Sequence, residues 1–586
     1  MPKTLPSVDA VTIGVGWTGG ILARELTKAG LKVVGLERGA FRNTNPDFLT
    51  PQVHDELSYA VRNKLFQDPS RDALSFRNNV RETALPIRQF GSFLPGDGVG
   101  GAGAHWNGAT WRFLESEFNL RTHYTQKYGA AIFGDDCTSQ DWGISYHDLE
   151  PFYDKFEYLC GISGKAGNLN GKKITGGNVF EGPRKREYPN PPLKASYNME
   201  LFRDIATNAG LHPFFTPAAN TSQPYKNWEG VQMGACAYCG FCERFTCEMS
   251  AKSSLQTTLL PLLLKEPNYE LRTNAQVTKI NLDSTGKKAT GVTYIDGTGQ
   301  EVFQPADLVL VTAFPLNNVH MLLLSGIGTP YDPATGKGVI GRNYTYNTST
   351  SATLFFEGKN FNLFMGSGAL GMNSDDFDGD NFDHSGLGFV GGGMIGSTAG
   401  SARPIQFHPT PAGTPRWGAA WKSAAHAAWN STIGVGGSAS VQAYRGNYLD
   451  LDPTYKNAFG LPLMRLTFDW GAHEHKYSDF AAQKVEMLAK AFNPKSYVIN
   501  KVSDHYNVVP YQSTHNTGGA VMGTDPSTSA VNGYQQVWDV PNVFSIGASS
   551  FPQNASYNPT GTVGALAYRT ADALVKRYIK NPGLLT

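Results

Sequence analysis

This chain has almost no net charge. Its 586 residues carry 50 Lys and Arg against 49 Asp and Glu, a net charge of +1, whereas a nucleic-acid partner normally leaves a basic excess. A small anionic substrate, which needs only a local positive patch, is not excluded. Long apolar runs are missing too. Nothing nears the roughly 18–20 residues of a membrane span, and Leu259-Leu-Pro-Leu-Leu-Leu264 is short and broken by Pro261. The opening residues, Met-Pro-Lys-Thr-Leu-Pro-Ser, lack the apolar region of a secretory signal, so the sequence reads as cytoplasmic or as exported by another route. Cysteine is scarce: six residues, four of them between 236 and 247. That clustering is not a disulfide framework, and the isolated Cys137 and Cys160 read as ordinary buried thiols.

Hydrophobic content of 40% and aromatic content of 12% are those of a globular protein. The length exceeds one ordinary core, so two or more domains are expected. Sixty-five glycines point to tight turns and close backbone approaches to a large ligand. Val8 to Ile13 reads as a buried strand, Gly14-Val-Gly16-Trp-Thr-Gly19 as a turn, Ile21, Leu22 and Leu26 as a helix stopping at Gly30, and Lys32 to Leu36 as a second strand ending at Glu37. This is a βαβ unit. Residues 41–90 read as a polar surface excursion, Asp148 to Tyr158 as a helix, 188–193 as a proline-rich connector, and Leu271 to Ile295 as a hairpin-like meander. Leu308 to Thr312 and Val543 to Gly547 are expected to rejoin the first sheet, and a last helix to run from Thr562 to Arg577. Between 345 and 505, short alternating runs such as Ser351 to Phe356 suggest an antiparallel sheet, with 386–393 as a loop.

The three fingerprint glycines have separate tasks: Gly14 makes the turn, Gly16 lets the backbone approach a pyrophosphate, and Gly19 lets helix and strand pack closely. Glu37, 18 residues after Gly19, stands where a carboxylate accepts hydrogen bonds from a ribose. The motif does not choose between FAD and NAD. Gly100-Gly101-Ala-Gly103-Ala-His105-Trp106-Asn107 can lay backbone against a flat ring, or be a glycine turn with a packed histidine. Cys236, Cys239, Cys242 and Cys247 form a compact run without histidine, suited to an iron–sulfur cluster, with zinc or free thiols as alternatives. Spacing does not choose between three and four irons. His515 and Asn558 each lie in a glycine-rich loop flanking the last strand, and histidine is the usual general base near neutral pH. Either could equally be structural. His473-Glu-His475 lacks the spacing of a metal-binding helix and reads as a solvated turn.

Together these motifs resemble the glucose–methanol–choline (GMC) oxidoreductases over nearly the whole chain. The resemblance rests on the fingerprint, the Gly-Gly-x-x-x-His-Trp-Asn segment, Asp141 to Tyr153, Leu308 to Ala313, Gly341-Arg-Asn343 and the His515 and Asn558 loops. The cysteine run is similar to that of a subgroup, the membrane-bound gluconate, fructose and FAD-dependent glucose dehydrogenases. The resemblance implies an α/β fold: a Rossmann-type FAD-binding domain built from 1–150, 250–345 and 505–586, and a substrate domain on an antiparallel sheet from 151–249 and 346–504, with the cysteine segment at 236–247. It implies FAD held by Gly14, Gly16, Gly19, Glu37, Gly101, His105, Asn107, Val277 and Gly547, and tethered covalently through His105. It implies His515 as base with Asn558 as its partner, and a three-iron, four-sulfur cluster on three of the four cysteines. It also implies a small chaperone-like subunit that carries the export signal, a multihaem cytochrome c subunit, ubiquinone as distant acceptor, attachment to the membrane only through the partner, and a periplasmic address.

Two segments depart from that pattern. The fructose and glucose enzymes have Cys-Cys-x4-Cys-x3-Cys, which leaves open which three cysteines are ligands. The usual Gly-Arg-Asn-Leu-x-Asp-His reads Gly341-Arg-Asn-Tyr-Thr-Tyr-Asn347, next to the expected substrate site. The expected reaction oxidises a secondary alcohol of a sugar acid or sugar, with D-gluconate to 2-keto-D-gluconate foremost. Fructose, glucose or 2-ketogluconate are the other substrates. A sugar oxidase with structural zinc and a non-catalytic flavoprotein subunit are the alternatives of other kinds.

Overall fold

Near-continuous apolar runs build the first sheet, as parallel strands covered on both faces require. The computed structural model describes residues 2–43, 47, 65–88, 93–398, 407–511 and 513–586. Val8–Ile13 (β1) turns through Gly14 into Trp17–Lys28 (α1), which buries Ile21, Leu22 and Leu26. Gly30, at φ +92°, turns the chain towards Val33–Leu36 (β2). Tyr146–Cys160 (α2) opens on a capping box: Ser145 Oγ accepts from the Asp148 N–H, and the Asp148 carboxylate accepts from the Ser145 N–H. It stops at Gly161 in the left-handed region.

The sheet is completed far along the chain by Tyr269–Arg272 (β3), Gln276–Leu282 (β4), Ala289–Ile295 (β5) and Glu301–Val311 (β6). Strands β3, β2, β1 and β6 run parallel in that order. The first half of β6 instead pairs antiparallel with β5, which pairs with β4. One long strand thus joins a parallel sheet to a hairpin. The expected meander over 271–295 is therefore that hairpin only, because β3 pairs with the edge of β2 rather than with its sequence neighbour.

Thr348–Phe355 (β7), Gly371–Ser374 (β8), Ile395–Thr398 (β9), Thr432–Ala439 (β10) and Ser496–Asn500 (β11) form the expected antiparallel sheet, in the order β11-β7-β10-β9-β8. Ala472–Ala491 (α3) packs against it, setting Val485, Leu488 and Ala489 on Ala352 and Leu354. The chain then returns to the first sheet as Val543–Ser545 (β12), parallel to β6. It ends in Thr560–Ala573 (α4), followed by one π-helical turn over Leu574–Tyr578. Helix α4 lies against α2 where Gly564 leaves room for Phe156; a Cβ there would stand 2.4 Å from the ring.

Two expectations fail. His473-Glu-His475 is not a solvated turn but the first turn of α3, with His473 and Glu474 buried. The Glu474 carboxylate accepts the Gly471 and Gln442 N–H groups, and His473 accepts from Val390 N–H and faces the Phe133 carbonyl. Satisfied polar groups of this kind can be buried, and their charge is a poor guide to exposure. The stretch 41–90 is not wholly a surface excursion. Its described part includes Leu74–Arg77, a strand parallel to Pro462–Thr467 that buries Leu74 and Ser75; 44–46, 48–64 and 89–90 lie outside the described residues. Cys137 and Cys160 are buried free thiols, as expected.

Candidate active site

The turn after β1 opens into a cavity of about 570 Å³ that extends to the antiparallel sheet. Gly14 sits at φ +96°, and a Cβ on it would meet Ala313 Cα at 3.0 Å. A Cβ on Gly19 would stand 2.2 Å from the Gly14 carbonyl. Gly16 differs: its nearest protein atom would be 3.9 Å away. The protein therefore does not require glycine at 16, and the bare backbone there serves whatever fills the cavity. Glu37 is buried at the end of β2; its two oxygens accept from the Val15 and Gly39 N–H groups, each at 3.0 Å. Gly14, Gly16, Glu37, Gly101, His105, Asn107, Val277 and Gly547 all line the cavity, as do His515 and Asn558. Gly19 does not. It acts through the packing of α1, as its place in the fingerprint predicts.

His105 lies 3% exposed, with its ring edge against Phe66 and its Nε2 buried without a partner. Burial first, and then the Lys252 charge, push its pKa down to about 3, so the imidazole is neutral. A neutral imidazole nitrogen without a protein partner thus stands beside the cavity.

His515 and Asn558 reach the cavity from opposite flanks of β12. The His515 loop is held by the segment that departs from the family pattern. The Tyr344 hydroxyl donates to Asn516 Oδ1 at 2.6 Å, the Tyr346 hydroxyl donates to the Ser513 carbonyl at 2.5 Å, and Ser513 Oγ donates to Asn347 Oδ1 at 2.7 Å. Asn558 immediately precedes Pro559 and α4. Its Nδ2 lies 2.9 Å from His515 Nε2, and its Oδ1 accepts from Trp111 Nε1 at 3.0 Å. Burial pushes the His515 pKa down to about 4, leaving a neutral base at neutral pH.

The cysteine loop wraps beside this cavity. The Arg244 N–H donates to the His105 carbonyl at 2.7 Å, and a Cβ on the cavity residue Gly368 would stand 2.6 Å from both Asn107 O and Cys242 Cβ. Lys252, buried, donates its ammonium to the carbonyls of Trp106, Cys242 and Phe245 at 2.7–2.8 Å. The Cys242 sulfur accepts from Asn220 Nδ2 and the Cys247 sulfur from the Lys252 N–H, at 3.6 and 3.5 Å. Soft thiols, N–H donors to sulfur and an adjacent buried cation suit an anionic thiolate cluster. Among the described residues, however, no three His, Cys, Asp or Glu side chains stand as a metal-holding group. Cys236, Cys239, Cys242 and Cys247 are gathered in one loop without forming a closed coordination site.

Trp111, Lys252 and the 341–347 clamp were not assigned functional roles from the sequence. Trp111 follows the Gly100 to Asn107 run by four residues, but its partner Asn558 is 447 residues away. Lys252 follows the last cysteine by five residues, with nothing to mark it.

A glycine turn, a buried carboxylate at a strand end and a neutral histidine paired with an amide thus surround one cavity, an arrangement that suits an oxidoreductase. Two family profiles described as GMC oxidoreductase match residues 215–348 and 443–567. The gluconate 2-dehydrogenase flavoprotein of Pantoea cypripedii is 49% identical over 99% of this chain and 95% of its own length. The fructose dehydrogenase large subunit of Gluconobacter japonicus is 25% identical, over 97% of this chain and 98% of its own. The crystal structure of pyridoxine 4-oxidase from Mesorbium loti superposes with a TM-score of 0.57 at 15% identity, covering 96% of this chain and 98% of the other, a likeness of fold. The chain belongs to the GMC oxidoreductases and is an FAD-dependent oxidoreductase acting on CH–OH groups. Its residues fit FAD: the open space at Gly16 admits a pyrophosphate, Glu37 faces the cavity, and the unpartnered His105 adjoins it.

Proposed function

We propose that this chain is the flavoprotein subunit of a dehydrogenase that oxidises a secondary alcohol of a sugar acid, D-gluconate to 2-keto-D-gluconate. The 49% identical relative of that name, matched end to end, supports the substrate. The single observation that carries the chemistry is the contact between Asn558 Nδ2 and His515 Nε2. The substrate hydroxyl enters between these two groups. His515 Nε2 takes the hydroxyl proton, and Asn558 Nδ2–H donates to the same oxygen and fixes the direction of the C–H bond. A positioned base contributes about 10²–10⁴-fold, and orientation adds to it. FAD, when bound, supplies the hydride acceptor, with Gly14, Gly16, Glu37, Gly101, Asn107, Val277 and Gly547 holding it and His105 as its covalent anchor. Hydride and proton together leave a ketone.

Thr216, Ser349, Ser351, Asn373 and Ser438 also line the cavity, and their hydroxyl and amide groups suit a polyhydroxylated chain. Three of Cys236, Cys239, Cys242 and Cys247 would hold an iron–sulfur cluster of the three-iron, four-sulfur kind, which when bound would supply a one-electron exit close to His105 and Asn107. Onward acceptors in this reading are a multihaem cytochrome c subunit and then ubiquinone. A small subunit brings the chain to the periplasmic side of the inner membrane, in keeping with a protein in which no helix among the described residues is long and apolar enough to cross a membrane.

The test is anaerobic addition of D-gluconate to the purified holoprotein while the flavin absorbance is followed. Rapid bleaching supports the reading. Bleaching by D-fructose, D-glucose or 2-ketogluconate alone moves the substrate, and full bleaching in His515→Ala removes the assigned base.

A further inference from the structure

The side chains behind Asn558 form a directed series. Trp111 Nε1 carries a hydrogen and has no lone pair to offer, so an indole can only donate. It lies 3.0 Å from Asn558 Oδ1. That contact decides which way the amide faces: oxygen to the indole, and therefore NH₂ to His515. Asn558 Nδ2, a donor, meets His515 Nε2 at 2.9 Å. His515 Nε2 must then present its lone pair, and the ring hydrogen of the neutral imidazole falls on Nδ1, which is buried with no partner in the protein. Nothing on the Nδ1 side selects that tautomer; the selection comes through Asn558.

We infer that Trp111 is the positioning residue that sets the tautomer of the catalytic histidine, by fixing the amide orientation of Asn558 through its indole N–H. The inference rests on the proposed role of His515 as base. Without the indole donor the amide is free to turn over. Its Oδ1 would then face Nε2 and draw a hydrogen onto it, giving the tautomer that cannot accept the substrate proton. The same oxygen would favour the imidazolium.

Trp111 itself is rigidly placed. Its ring is stacked on Tyr557 at 4.8 Å and 6°, and stands edge-on to Phe214 at 5.9 Å. The Tyr557 hydroxyl donates to the buried Asp375 carboxylate, which also accepts from Asn178 Nδ2. The stack gives the indole its place, and the N–H gives it its effect. The two can be separated by substitution.

Trp111→Phe keeps an aromatic ring on Tyr557 and removes the donor. Replacement of Trp111 by β-(3-benzothienyl)alanine keeps the bicyclic shape and replaces N–H by sulfur, so it tests the same point even if the phenylalanine variant folds poorly. With the flavin-loaded enzyme and D-gluconate, or whichever sugar bleaches the flavin, both variants should lower kcat about 10- to 100-fold with KM within about threefold. Both should also move the acid limb of the kcat/KM profile, set by His515 near 4, upward by a unit or more.

An unchanged acid limb in the benzothienyl variant, which keeps the packing around His515, overturns the inference whether kcat is retained or falls. A shift seen only in Trp111→Phe would come from lost burial, which itself sets the His515 titration, and overturns it as well. Full activity in His515→Ala would instead overturn the proposed function on which it rests.

Discussion

Asn558 Nδ2 donates to His515 Nε2 across 2.9 Å, joining two loops that flank the last strand of the first sheet. In the proposed reaction this contact holds the base with its lone pair covered by the hydrogen that the substrate oxygen would accept. Asn558→Ala removes that hydrogen and leaves the base. We expect kcat/KM to fall about 10- to 100-fold, equivalent to ~1.4–2.7 kcal/mol, with the flavin content unchanged. Steady-state kinetics beside a flavin absorbance count check this, and a loss confined to flavin binding would contradict it.

The fingerprint glycines should separate in their effects. At Gly16, with φ −92°, alanine is allowed by the backbone and meets no protein atom closer than 3.9 Å. Gly16→Ala should leave the apoprotein's stability within about 0.5 kcal/mol of the parent while weakening FAD retention. Gly19→Ala drives a methyl to 2.2 Å from the Gly14 carbonyl and should lower apoprotein stability by about 1–3 kcal/mol. Thermal unfolding of the apo forms, with FAD titration, distinguishes the two.

Glu117 is buried, and burial followed by the neighbouring Asp378 charge raises its pKa to about 8. Unfolded, it ionises near 4.5. The folded state therefore holds the proton more tightly between those values. Its contribution to stability is complete below pH 4.5 and is lost as pH rises through 8, at up to about 1.4 kcal/mol per pH unit. Glu117→Gln should flatten the fall in denaturation midpoint across pH 5–8, and an undiminished slope in that variant would show that other groups are responsible.

Two residues of the cysteine loop should behave differently. Cys242→Ser is expected to lower the iron content of the purified protein while flavin remains, as measured by elemental analysis and absorbance. Iron at the parental level would remove Cys242 from the ligands. Lys252→Met removes the ammonium that the carbonyls of Trp106, Cys242 and Phe245 share, of which the Cys242 carbonyl keeps the Phe245 N–H at 3.2 Å. A buried carbonyl that loses its donor costs about 1–3 kcal/mol, so the denaturation midpoint should fall below the parent's even in protein prepared without metal.

The sequence by itself determined the βαβ unit, because β1, α1 and β2 differ in hydrophobic period and Gly14, Gly16 and Gly19 have tasks that no other residue performs at those places. The bounds of β1 agree with the reading to the residue. Sequence also pointed to Gly14, Gly16, Glu37, Gly101 and His105 on the cavity wall, since a glycine run, a carboxylate at a strand end and a histidine in a glycine-rich loop are local signals, whereas Val277 and Gly547 came only from the family resemblance. It could not show the burial of His473 and Glu474, because the groups that satisfy them, Val390, Phe133 and Gln442, lie tens to hundreds of residues away.

Only the tertiary structure decided which strand β3 would join, that 341–347 would clamp the His515 loop, and that the Trp111 indole would meet Asn558. Hydrogen bonds depend on distance and direction in space, and a chain reveals these only after the strands between Trp111 and Asn558 have been brought together. Local chemistry could nominate His515 as a base. Its neutral charge comes from burial, and burial belongs to the fold as a whole.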